Sequence, residues 1–260
     1  MKLPIAHCSL RVLAAFLGAG GCLFAQTPPD PPPADEGRPV SIRKLPRNIL
    51  SDQKQIWTSP PRLVRNRHWI PTLAAISFTA GLVATDTRTG SYFRRTGTFS
   101  GYSSIFTSTA TGAGIAIVPV GLFVAGSLTH DRYARHTALL TGEALASTEI
   151  LGIIMKDIGR RRRPQDFAPG QSMAGSWFSQ TNGLLAGVGS FPSEHSAAAF
   201  AVATVVSRRY VRHKWIPYVA YGLSSAVGFS RLTTSAHFPS DVFMGAVLGY
   251  GIGRFVVLRQ

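Results

Sequence analysis

The chain has 260 residues, 45% of them hydrophobic, and 27 Lys and Arg stand against 12 Asp and Glu. That length suits one domain with a sizeable core and is too short for two comfortable ones. The mean hydropathy of +0.13 is lower than a chain built mainly of long unbroken spans would show. A formal charge of +15 favours partners that carry phosphate: nucleic acid, anionic lipid or a small phosphorylated substrate.

Residues 1–25 read as a leader. Lys2 and Arg11 give it a positive start, an apolar stretch runs from Val12 to Ala25, and small residues offer a cut after Ala25. The alternative is an uncleaved anchor. Both cysteines, Cys8 and Cys22, lie inside this segment, so cleavage would exclude disulfides and a cysteine nucleophile from the mature chain. Residues 26–46 are proline-rich, with Pro28-Pro29 and Pro31-Pro32-Pro33, and read as a solvated linker. The expected domain is then 47–260. It opens with a short helix over 47–60, capped by Ser51, whose Ile49, Leu50, Ile56 and Trp57 would lie on the main body.

Six apolar segments follow, near 69–85, 112–129, 137–156, 195–211, 216–229 and 241–258. None alternates with the period of a half-buried strand, so the fold class is an all-α bundle. Spanning a bilayer takes about 20 mostly apolar residues. Here the third segment contains Glu143 and Glu149, and the fourth meets Arg208-Arg209 soon after Val206. The arginine-rich loops at 62–67, 130–135 and 207–214 would be cytoplasmic by the positive-inside rule, whereas a cleaved leader would put residue 26 onward outside. An exported bundle, periplasmic or associated with the inner membrane, removes that conflict and is the expected location.

Three separated pieces carry chemistry. In the first, Lys156 and Arg163-Pro164, the two cations are seven positions apart, nearly two helical turns, so they share a face if the helix persists that far, although Pro164 is expected to end it at Arg163. An ammonium and a guanidinium meeting at one point suit a phosphoryl group, although a basic helix end facing solvent or headgroups would read the same way. Arg160, Arg161 and Arg162 are expected to be that ordinary case. In the second, Pro192-Ser193-Glu194-His195, Ser193 would cap the next helix over an anion-binding first turn, with His195 placed to donate a proton. A plain cap beside a surface histidine is the alternative. In the third, Arg231 precedes His237 by six residues, and Asp241 follows four later across Pro239. Asp241 in the first turn of the last helix could fix the tautomer of His237 and leave its other nitrogen as a nucleophile. Equally, the pair could stabilise a helix start.

Taken in order, Lys-x6-Arg-Pro, Pro-Ser-x-His and Ser-Arg-x5-His-x3-Asp resemble the signature of the type 2 phosphatidic acid phosphatase / vanadium haloperoxidase superfamily, over about 156–241. The resemblance implies a six-helix bundle of the acid phosphatase / haloperoxidase type, behind the leader and linker. It implies catalytic roles for His237 (nucleophile, through a phosphohistidine), Asp241 (orienting it) and His195 (proton donor). Lys156, Arg163, Ser193, Glu194 and Arg231 would bind the substrate phosphate, Glu194 through its backbone N–H. One departure stands out, since the family usually has glycine where this chain has Glu194. Its carboxylate is expected to point away from the phosphate.

The function implied is a metal-independent phosphatase with no cofactor. Its partner would be a phosphorylated lipid, favoured over a small phosphate ester, with a possible anionic membrane surface and no nucleic acid. Vanadate is expected as an inhibitor. The alternatives are a vanadate-dependent haloperoxidase and a non-catalytic phosphate- or lipid-binding protein. Residues 165–190, with Trp177-Phe178, read as a flap over the site or as an ordinary connection.

Overall fold

A computed structural model describes residues 38–59, 69–181 and 183–258. Among the described residues there is no strand. The described residues form eight α-helices in chain order: α1 (Leu45–Thr58), α2 (Trp69–Arg95), α3 (Ser100–Ile105), α4 (Ser108–Leu128), α5 (Arg132–Gly159), α6 (Glu194–Arg209), α7 (Ile216–Thr233) and α8 (Pro239–Gly251). The last runs on into a π-helical turn, Ile252–Val257. The six apolar segments each fall in one of the long helices α2 and α4 to α8. Beside these six stand α1, expected over 47–60, and the short α3, which was not expected and lies in a Ser/Gly-rich stretch with no apolar run to announce it. The leader 1–25, the basic stretch 62–67 and residues 26–37 of the linker lie outside the described residues.

The bundle is organised around α6, whose Ala197, Ala198, Ala199, Ala201, Val202, Ala203 and Val205 are all buried, with α5, α7 and α8 packed around it. Small side chains on α6 meet a glycine ridge on the last helix. A Cβ on Gly245 would fall 2.4 Å from the Ser193 carbonyl oxygen, and one on Gly249 would fall 2.1 Å from that of Ala197. One turn later, a Cβ on Gly253 would reach 2.9 Å from Thr204 Cβ. The two backbones are in van der Waals contact along this ridge, which fixes the start of α8 against the start of α6. A backbone hydrogen bond from Ser193 N–H to Asp241 O, 3.0 Å, closes the junction.

The N-terminal helix seats itself differently from expectation. Ser51 lies within the helix rather than at its start, while Leu50 and Trp57 are exposed. Of the predicted apolar anchors, Ile56 packs with Val40 against the core around Leu140 and Ala144. The main attachment is polar. Arg38, still within the proline-rich stretch, pairs with both Asp52 of α1 and Glu143 of α5, and Asn48 Nδ2 donates to Glu143 Oε1 at 2.6 Å. Asp52 and Glu143 are both fully buried. A carboxylate in the middle of an apolar helix is expensive unless paired and hydrogen-bonded, and here the chain's own N-terminal segment supplies both.

Among the described residues, four helical stretches are long and apolar enough to cross a membrane: Trp69–Arg95, Ser108–Leu128, Arg132–Gly159 and Pro239–Val257. The first is the barest, exposing Trp69, Ile70, Leu73, Ile76 and Phe78, and α7 adds Trp215, Tyr218, Val219 and Leu223. So much exposed apolar surface points to a membrane-associated protein.

The glycine ridge gives a direct test. Gly249→Ala adds a methyl where no space exists and should destabilise the fold by about 1–3 kcal/mol or more. Gly222→Ala, whose Cβ would meet nothing within 4 Å, should be neutral or gain up to about 1 kcal/mol. Denaturant unfolding of the two variants against the parent measures the contrast.

Candidate active site

All three motif pieces converge at one end of the bundle, around the ends of α5 and α7 and the starts of α6 and α8. Lys156 sits in the last turn of α5 and is buried. The helix ends at Gly159 because Arg160 takes a left-handed conformation, φ 42°, and the chain turns. The helix therefore stops short of Arg163, and the face that Lys156 and Arg163 would share if it persisted that far does not form. Arg163 lies on an extended segment, φ −76° and ψ 151°, and its Nε donates to Gly189 O at 3.2 Å. Ser193 caps α6 as expected, accepting from Ser196 N–H at 3.4 Å. Phe238 is the cap of α8, with Pro239 in its first turn, and Asp241 Oδ2 accepts from Phe238 N–H at 2.8 Å.

His237 is buried, and its Nδ1 lies 2.6 Å from the carbonyl oxygen of Ser190. A carbonyl can only accept, so Nδ1 carries the proton and the lone pair is on Nε2. The partner expected for Nδ1 was Asp241, but Asp241 Oδ2 is 3.9 Å away, beyond hydrogen-bond range. Asp241 acts on the surroundings of the ring instead, since its Oδ2 accepts from Ser190 Oγ at 2.5 Å. One carboxylate thus positions both the residue that holds His237 and the turn that carries it. Burial, followed by the neighbouring Arg163 and Lys156 cations, holds the His237 imidazole well below the usual histidine range.

The opposite carboxylate oxygen, Asp241 Oδ1, takes Arg161 Nη1 at 2.5 Å. Arg161, expected to face solvent, is only 2% exposed. Its Nη2 donates to Asp86 Oδ2 of α2 at 2.6 Å and its Nη1 to Ser240 Oγ at 2.7 Å. Its plane lies between Trp177, 4.4 Å from the ring centroid, and Phe238, 4.1 Å. The left-handed turn at Arg160 aims this one member of the arginine run inward. Arg160 is exposed, and Arg162 lies over Phe167, 4.4 Å to the centroid. Sequence reasoning missed Arg161, Ser190 and Asp86. The last gave a readable signal, a lone carboxylate breaking an apolar helix.

His195 and Arg231 face the start of α4. His195 Nε2 is 3.1 Å from Ser108 O, and burial, then the Arg231 cation, lower its pKa. Arg231 is buried, and its guanidinium donates to Ser108 Oγ at 3.0 Å, to Thr111 Oγ1 at 3.2 Å and to Phe106 O. Glu194 departs from expectation. Its carboxylate turns inward, and Oε2 lies 2.6 Å from Lys156 Nζ. Lys156 also donates to Gly187 O at 3.2 Å. In the 165–190 segment, Trp177 packs on Phe191 at 4.9 Å while Phe178 is exposed. No group of three or more metal-ligating side chains occurs among the described residues.

Comparison with known proteins finds matches to part of the chain. Residues 137–260 match the model of the PAP2 superfamily. Among curated proteins, a lipid A 1-phosphatase of Porphyromonas gingivalis is 40% identical over 66 residues, 25% of this chain and 15% of that protein. The bacitracin transport permease protein BcrC of Bacillus licheniformis is 36% identical over 67 residues, 26% of this chain and 32% of that protein. The matches thus span less than a third of either relative. A solved structure, a transmembrane PAP2-type phosphatidylglycerolphosphate phosphatase from Bacillus subtilis, overlaps 71% of this chain and 92% of its own at 21% identity, with a TM-score of 0.48.

Two outcomes follow from this geometry. Arg161→Leu strands the Asp86 and Asp241 carboxylates without their cation and should cost about 3–5 kcal/mol, read by thermal or denaturant unfolding. The depressed pKa of His237 means that the unfolded chain binds a proton that the folded chain refuses. Stability should therefore fall as pH drops below the ordinary histidine value, about 6.5. His237→Gln should lose less between pH 7 and pH 5 than the parent, as measured by Tm against pH.

Proposed function

We propose that this protein is a metal-independent phosphatase that hydrolyses a phosphate ester, favouring a lipid phosphate, through a phosphohistidine at His237. The observation that carries the reading is the state of that residue: buried, neutral, its proton fixed on Nδ1 by Ser190 O, with the Arg163 and Lys156 cations close enough to depress its pKa. A neutral imidazole with a committed tautomer is a ready nucleophile, and the two cations suit the charge on the equatorial oxygens.

In the reaction, His237 Nε2 attacks phosphorus and the bond to the ester oxygen breaks. His195 gives its proton to the departing alkoxide. The neutral His195 then takes a proton from water as water attacks phosphorus, the phosphorus–nitrogen bond breaks, and phosphate leaves with His237 restored. Burial and Arg231 disfavour protonated His195 in the free protein, and an arriving dianionic phosphate offsets that by stabilising the imidazolium. Arg163, Lys156 and the first-turn N–H groups after Ser193 hold the oxygens. The role of Arg231 is mainly to fix the start of α4 beside His195, with its remaining donor capacity turned to the phosphate.

The lipid preference rests on the exposed apolar faces of α2 and α7 and on the four helical stretches long enough to cross a membrane. The curated relative named a lipid A 1-phosphatase supports the same reading. Export to the periplasmic side and inhibition by vanadate belong to the same proposal.

The test is hydrolysis of a chromogenic phosphate ester and of phosphatidate in the presence of EDTA. Activity should survive chelation and fall on the order of 10³-fold or more in His237→Ala. Unchanged activity in that variant would overturn the reading. Phosphate binding without turnover on any ester would favour a binding protein, a role that the Glu194–Lys156 contact makes worth testing.

A further inference from the structure

The contact between Glu194 and Lys156 is built rather than incidental. Glu194 opens α6, and its side chain runs across α5 to reach Lys156 Nζ at 2.6 Å. It crosses α5 at Gly152, one turn before Lys156 on the same face. A Cβ on Gly152 would lie 2.8 Å from Glu194 Cγ and 3.3 Å from Oε1. The glycine is thus a notch that seats the carboxylate. Lys156 is 2% exposed while the Glu194 side chain is 22% exposed, so the cation is fixed in the protein and the anion has an open side. A charge-assisted bond to a desolvated ammonium is stronger than a surface pair.

We propose that Glu194 is an internal competitor for the phosphate position: its carboxylate occupies Lys156 in the free protein, and an incoming phosphate must displace it. This rests on the reading of Lys156 as a phosphate-binding residue and goes beyond it by assigning the side chain of Glu194. The carboxylate has two places to be. One is the Gly152 notch, on Lys156. The other is the solvent side of α6, away from Glu149, a second carboxylate on the same face of α5 that electrostatically opposes it. Binding of phosphate is weakened by the fraction of time the notch is filled, so a notch filled nine-tenths of the time lowers affinity about tenfold. The same displacement opposes retention of inorganic phosphate after hydrolysis, so Glu194 favours release of the product.

The experiment measures direct binding of inorganic phosphate to the purified full chain by calorimetry, alongside phosphate inhibition of ester hydrolysis, for the parent, Glu194→Gln, Gly152→Ala and the double variant. Glu194→Gln is expected to bind phosphate about tenfold tighter. Gly152→Ala, which evicts the carboxylate from its seat, should tighten binding by a similar factor, and the double variant should match the tighter single one. Unchanged or weaker binding in Glu194→Gln overturns the proposal, as does a double variant in which the two effects add in full. Should Gly152→Ala fail to fold, Glu194→Gln decides alone. The hydrolase reading fails separately: phosphate can bind in the expected order to a protein that cleaves no ester. Hydrolysis lost in His237→Ala, without tighter phosphate in Glu194→Gln, removes only this inference. No phosphate binding in any variant removes both.

Discussion

A single buried guanidinium joins the parts of this site that sequence separation keeps apart. Arg161 pairs with Asp86 from α2 on one side and with Asp241 from α8 on the other, and lies between the rings of Trp177 and Phe238. His237 is held by Ser190 O and by Arg231 O, while Asp241 fixes the Ser190 hydroxyl and the Phe238 N–H beside it, and Arg161 fixes Asp241. Such an arrangement makes sense for a cation with planar geometry and donors on both edges. A lysine could satisfy one carboxylate but not bridge two while stacking between rings. The desolvation cost of burying three charges is offset only because each carboxylate also accepts from Ser240, Ser190 or a backbone N–H.

Outside that pair of anions the site is kept positive. Lys156, Arg163 and Arg231 surround two histidines, both held below the ordinary imidazole range by burial first and by these cations second. Neutral histidines among cations form a site poised for an anion, whose arrival relieves repulsion among the cations. The discordant charge on Lys156 is Glu194, whose carboxylate pairs with it directly.

Much of the architecture was legible from the amino-acid order. Apolar segments with no two-residue alternation located all six long helices, and the Ser193 cap and the Pro239 start of α8 followed from side-chain chemistry. What failed, failed for identifiable reasons. A seven-position spacing puts Lys156 and Arg163 on one helical face only if the helix persists, but a left-handed residue at Arg160 ends it ahead of Pro164, and nothing in a run of four arginines marks which one turns. Burial of Arg161 depends on Asp86, 75 residues away. The proton-fixing partner of His237 is a backbone carbonyl, which every residue has, so no side-chain pattern could single out Ser190. Glu194 was placed outward on electrostatic grounds. The reason it turns inward is the absence of a side chain at Gly152, on another helix.

Arg38 lies in what composition reads as linker, yet its guanidinium is shared between Asp52 and Glu143. The polypeptide therefore closes on itself: a residue ahead of the first helix neutralises an acid midway along α5, the helix whose last turn presents Lys156. Any maturation or engineering that trims the chain must stop short of Arg38. Cutting beyond it would leave an unpaired acid facing apolar neighbours, thirteen residues along the same helix from the cradle.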